Sequence, residues 1–147
     1  MTRAQFKLKT AARLLLGAIF VLFGLNGFFH FLPAPPPQGL AAVFAGGLAS
    51  SGYFFPLLKG TEVLAGALLL SNRFVPLALT VLAPIVVNIV AFHVFLAPAG
   101  TGLGILVTAL GVYLAYTERA VFAPLLRARS AEPVPASERA HHAAATV

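Results

Sequence analysis

The sequence predicts an all-α membrane protein, a polytopic four-helix bundle with a short interfacial or re-entrant helix between its first and second spans. Three observations lead there. Of the 147 residues, 59% are hydrophobic and only 10% are charged, whereas a soluble domain carries about 25% charged residues. Apolar runs long enough to cross a bilayer recur along the chain, because about 20 residues rising ~1.5 Å each span ~30 Å of hydrocarbon. The basic residues sort into alternate connections, as they do in polytopic proteins.

Residues 1–10 contain Arg3, Lys7 and Lys9 and no acid, and read as a basic cytoplasmic N-terminus. The first span covers about residues 11–32. A basic start followed by an apolar run is also the form of a signal peptide. This run exceeds a typical h-region and no clear small-x-small cleavage site follows, so a retained span is expected. Pro33, Pro35, Pro36 and Pro37 stop the helix, since proline lacks an N–H and disfavours helix in its predecessor. Residues 39–49, GLAAVFAGGLA, are uncharged and too short to span. They read as a helix lying across one end of the bundle. The second span, residues 53–71, is short and carries Lys59 and Glu62.

Residues 74–96 form the third span, FVPLALTVLAPIVVNIVAFHVFL, apolar except for Thr80, Asn88 and His93. Residues 101–118 form the fourth, with Tyr113 and Tyr116 as interface anchors. Residues 119–129 mix Arg119, Arg127 and Arg129 with apolar residues and read as a basic amphipathic segment on anionic lipid headgroups. Residues 130–147, rich in Ala, Pro, Glu and Ser, are expected to be a disordered cytoplasmic tail, and the His141-His142 pair there is given no role.

The loop arginines and lysines fall in the N-terminus, at Arg73 and in the C-terminal segment, and none falls in the connections near residues 33–53 and 97–100. Both termini are therefore expected in the cytoplasm. The same distribution speaks against nucleic acid despite a net charge of +6. The chain has no cysteine, which removes thiol redox chemistry and Cys-ligated metal, and no aspartate.

With this orientation, Asn26, His30, Lys59, Glu62, Asn88 and His93 all lie within the outer ~15 Å of their spans. Polar side chains inside a span are costly and mark candidate sites. Asn26 and His30 share a face, and Lys59 and Glu62 can touch at i, i+3. Asn88 and His93 stand ~140° apart around the helix, the weak point of a shared site. Lys59 precedes Glu62, the less favourable order with respect to the helix dipole, which points Glu62 toward His30 or His93 on other helices. Each residue also has a structural reading: snorkelling for Lys59, interhelical hydrogen bonding for the asparagines, the headgroup zone for His30. Small residues at Gly17, Gly24 and Gly27, and at Gly104, Thr108 and Gly111, form stripes suited to close helix packing, within the chain in preference to a homodimer seam.

These pieces, in order, are Phe23-Gly24-Leu25-Asn26, Phe29-His30-Phe31-Leu32-Pro33, Ser51-Gly52-Tyr53, Lys59-x-x-Glu62 with Gly66, Asn72-Arg73-Phe74, Ala83-Pro84 to Asn88 and His93, and Phe95 to Gly100. The ordered set resembles the DoxX-like family of small four-helix integral membrane proteins over roughly residues 14–116. The resemblance implies a bacterial cytoplasmic (inner) membrane protein. It implies a possible role as accessory subunit of a quinone-linked redox system, with a soluble or membrane oxidoreductase partner. It carries no catalytic motif. Three functions compete: a redox-associated subunit taking a quinone head in its outer-half pocket, a non-enzymatic scaffold, assembly or cargo-receptor-like protein, and a small-molecule or proton transporter. The last is ranked lowest because no internal repeat is visible.

Overall fold

The computed structural model of the chain describes residues 2–33 and 35–126, and all regular structure among them is helical. Helix α1 spans Arg3–Phe29, α2 Gly39–Ser50, α3 Phe54–Leu70, α4 Val75–Phe95, α5 Thr101–Thr117 and α6 Arg119–Phe122. Short 3-10 turns at Pro98–Gly100 and Ala123–Leu126 precede α5 and follow α6. The expected tail and Arg127 and Arg129 lie outside the described residues.

Helix α1 starts at Arg3 rather than near residue 11. The stretch expected as a basic approach is therefore the first turns of the helix. The cause is a capping box: the Gln5 amide donates to the Thr2 hydroxyl at 3.3 Å and the Thr2 amide donates to Gln5 Oε1 at 2.8 Å, satisfying two otherwise orphaned donors. α1, α4 and the stretch Pro98–Thr117 are each long and apolar enough to cross a membrane. α3 is not, at 17 residues and about 26 Å. It passes only together with α2, from which it is bent by 91°. Residues Gly39–Ser50 are thus helical as α2 and turn sharply into α3.

Around the bundle the order is α1, α3, α4, α5, with α5 returning to α1. α1 and α3 approach closely because Gly17 and Gly66 face each other: a Cβ on Gly66 would stand 2.8 Å from the Gly17 carbonyl oxygen, and one on Gly17 would stand 2.9 Å from that of Gly66. The stripe predicted on α1 is therefore internal packing. The α5 stripe is so only in part. Gly104 makes ordinary contact with Val90 and Ile89 of α4, while Gly111 has nothing near it among the described residues.

Two polar contacts tie one end of the bundle together. Lys9 pairs with Glu118 at 2.7 Å, joining the start of α1 to the end of α5. The buried Arg13 guanidinium donates to the carbonyls of Leu69 and Leu70, at the end of α3. α3 itself closes in a left-handed turn at Asn72 (φ 56°), with Arg73 N–H bonding Leu68 O and Asn72 N–H bonding Leu69 O, the arrangement of a Schellman cap. Among the described residues every lysine and arginine except Lys59 belongs to this end.

The packed core, with Leu16, Leu69, Leu79, Leu82 and Leu114, also fills this half, and Phe20 and Val107 carry it to the middle of the bundle. Outside it, Leu22, Leu57, Leu64, Leu77, Val87, Ile105 and Val112 are exposed. Soluble monomers rarely expose contiguous apolar surface on that scale, whereas hydrocarbon solvates it. The chain is an apolar helical protein of membrane character.

Candidate functional site

The half of the bundle away from the basic end is hollow. A cavity of about 590 Å³ sits between the helices beneath α2, within the size range of small-molecule sites. Most of its lining is apolar: Ile19, Phe20 and Phe23 from α1, Leu58 from α3, Ile85 and Ile89 from α4, Leu103 and Val107 from α5. Phe44, Ala45 and Leu48 of α2 roof it. The roof is pinned by the Phe44 ring against that of Phe92, centroids 5.9 Å apart. The polar lining comes from Lys59, Glu62, Asn88 and His93.

Four of the six expected site residues therefore share one cavity. The ~140° step from Asn88 to His93 does not separate them, because α4 presents two adjacent ridges to the space. One ridge is Pro84, Asn88 and Phe92; the other is Ile85, Ile89 and His93. Each advances by four residues, so neighbouring rows of one face are both exposed to a wide void.

Asn26 and His30 lie apart from the cavity. Asn26 Oδ1 accepts the Leu32 N–H at 2.6 Å, and His30 adopts the left-handed conformation (φ 51°) that ends α1. Both serve helix termination, which the prolines after it require. The expectation that Glu62 meets a histidine on another helix is also corrected. Glu62, 3% exposed, pairs with Lys59 of its own helix at 2.8 Å. Gly27 makes this possible: a Cβ there would stand 2.5 Å from Lys59 Cγ and 2.6 Å from Cδ, so the absence of a side chain leaves a slot for the lysine stem. In low dielectric the ion pair outweighs a dipole preference worth only about 0.3–1 kcal/mol.

His93 stands at the far edge of the cavity, under the turn between α4 and α5. A Cβ on Gly100 would collide with its imidazole. Its ring lies 5.4 Å from that of Phe92. Its Nδ1 is buried and has no hydrogen-bond partner among the described residues. The aromatic roof contact and the glycine slots were not anticipated from sequence. The nearest signal was the run of small residues, which does not say which side chain they admit.

Comparison with protein-family models, with characterised protein sequences and with solved structures returned no match in any of the three. The site is therefore interpreted from its own geometry. That geometry is an apolar chamber with one polar corner, formed by a cation–carboxylate pair, a carboxamide and an imidazole.

Proposed function

We propose that the chain is a DoxX-like inner-membrane protein that seats the head of a quinone, or of a similar carbonyl-bearing lipid, as an accessory subunit of a membrane redox system. The observation that carries this reading is the gathering of Lys59, Glu62, Asn88 and His93 in one corner of a largely apolar cavity, with the buried Nδ1 of His93 left without a partner among the described residues. An unmet buried polar atom costs about 1–3 kcal/mol. A neutral imidazole nitrogen can donate to a quinone carbonyl or accept from a quinol hydroxyl, and the Asn88 carboxamide offers both functions. Lys59 has three donor hydrogens, and Glu62 engages it through one contact. The apolar lining suits a ring and the start of a hydrocarbon tail.

The placement follows from charge. With the basic end in the cytoplasm, α1, α4 and α5 cross and the 17-residue α3, about 26 Å long, makes the fourth passage with α2 completing it at the outer face, so both termini lie inside. α2 then lies in the outer interface and presents Leu40 and Val43, 73% and 72% exposed, to lipid. Arg119, over the Tyr116 ring at 4.6 Å, meets the inner headgroups. The cavity opens in the outer half. Electrons for quinone reduction come from a partner oxidoreductase, and the chain contributes the headgroup site.

Equilibrium titration of the purified protein with a long-chain isoprenoid quinone tests this. Saturable binding should weaken about ten-fold in His93→Ala, the equivalent of one lost hydrogen bond near 1.4 kcal/mol. Equal affinity in both proteins, or no saturable binding in either, contradicts the proposal.

A further inference from the structure

A second void borders the first. It is a groove of about 240 Å³ on the seam between α3 and α4, lined by Phe54, Leu57, Leu58, Thr61, Val81 and Ile85. Phe54, Leu58 and Ile85 line both spaces. One layer of side chains is therefore the whole wall between chamber and groove. On the outer side Leu57 and Val81 are exposed. The Thr61 hydroxyl is turned back onto the Leu57 carbonyl at 2.8 Å, so the groove offers hydrocarbon surface with its hydroxyl already satisfied.

Close contacts mark other parts of the chamber's boundary. α1 and α3 meet backbone to backbone at Gly17 and Gly66, and Gly24 sits against Val63. Gly104 brings α5 against Val90 and Ile89. Phe44 on Phe92 holds the roof. At the α3–α4 seam the wall includes Leu58 and Ile85, aliphatic side chains whose rotamers can shift without breaking a hydrogen bond. The charged and amide groups sit on the inner side of this wall, and the outer side is apolar apart from the Thr61 hydroxyl, which is already bonded.

Resting on the headgroup reading above, we infer that the ligand is a lipid with a single long apolar tail, and that the tail leaves the chamber sideways between Leu58 and Ile85 to lie in the α3–α4 groove. The same seam is the route by which the ligand enters from the bilayer. The polar head stays at Lys59, Glu62, Asn88 and His93, and the tail remains in hydrocarbon throughout. A water-soluble molecule entering from outside would have no use for this groove.

The experiment compares two probes on the full chain in the same detergent: a long-chain isoprenoid quinone and the same quinone ring without its tail. Val81→Phe fills the groove from a position that does not itself line the chamber, and Leu57→Phe does so from the facing helix. Either variant, at an unchanged melting temperature, should weaken the tailed quinone about five-fold or more and leave the tailless ring at wild-type affinity. Micellar partitioning of the tail is common to wild type and variant and cancels. Unchanged affinity for both probes, or equal loss for both, overturns the lateral tail path while leaving the headgroup site standing. Failure of both probes to bind wild-type protein overturns the headgroup site and the tail path together.

Discussion

Glu62 is the residue on which stability and the proposed function can be separated. Its carboxylate is buried beside a lysine whose stem threads past Gly27. Breaking such a pair from one side strands a charge in low dielectric, at a cost of about 3–5 kcal/mol. Glu62→Ala should therefore lower stability strongly. The double change Lys59→Met with Glu62→Leu should restore most of it, because apolar replacements of similar volume remove the desolvation cost of both charges. If the pair also serves the ligand, the restored protein will fold yet bind quinone poorly. Thermal unfolding beside titration separates the two roles. Arg13 is the second residue of this kind. Its guanidinium satisfies the Leu69 and Leu70 carbonyls that end α3, and charge-assisted bonds contribute about 1.5–3 kcal/mol each. Arg13→Ala should destabilise by at least the lower figure, and Arg13→Lys by less, while ligand affinity at the opposite end stays unchanged. Nothing in the sequence distinguished Arg13 from its basic neighbours, because its partner lies 56 residues away. His30 and Asn26 show the reverse. Their polarity was legible but their role was not, since the left-handed turn that employs them forms only once the following prolines end the helix.

At the scale of elements, helix positions were legible wherever apolar runs were bounded by strong stops. The expected edges of α3 and α4 agree with Phe54–Leu70 and Val75–Phe95 because Ser-Gly, Asn-Arg and Ala-Pro pairs bracket them. The start of α1 was missed because a capping box in a charged stretch outweighed the composition of the first ten residues. Glycines carried information of two kinds. On α1 and α3 they set helix distance, and Gly66→Val should test it. The added side chain meets the Gly17 carbonyl and Val21, so the helices must part, at about 1–3 kcal/mol for overpacking. Gly111→Val on the open face of α5 should leave the melting temperature unchanged. A comparable fall in both variants would mean that the α5 stripe is also packed in the membrane. α2 illustrates what composition alone leaves open. Its lack of charge and its length predicted a helix across one end, but its function as a roof depends on Phe44 reaching Phe92 of α4, a contact no local pattern encodes.

The whole molecule is a bundle of two unlike halves. The basic half is filled by leucine, valine and phenylalanine and tied by Lys9–Glu118 and Arg13. The other half keeps space among aromatic and aliphatic side chains and concentrates the polar groups there. The depth sorting of polar residues makes this division legible in the sequence, because hydrocarbon tolerates polar groups only where a partner or a ligand meets them. What could not be seen was which of those groups turn inward, since that depends on the approach of α1 to α3 and on the width of the face α4 presents. The central claim is that the hollow half holds a quinone-like lipid through Asn88 and His93. Its most direct test is the lipid content of protein purified from quinone-producing bacterial membranes, measured by solvent extraction and mass spectrometry. Wild-type protein should carry stoichiometric quinone, and Asn88→Leu with His93→Phe, at an unaltered melting temperature, should carry almost none. Quinone absent from the wild type, or retained equally by the double variant, would contradict the account.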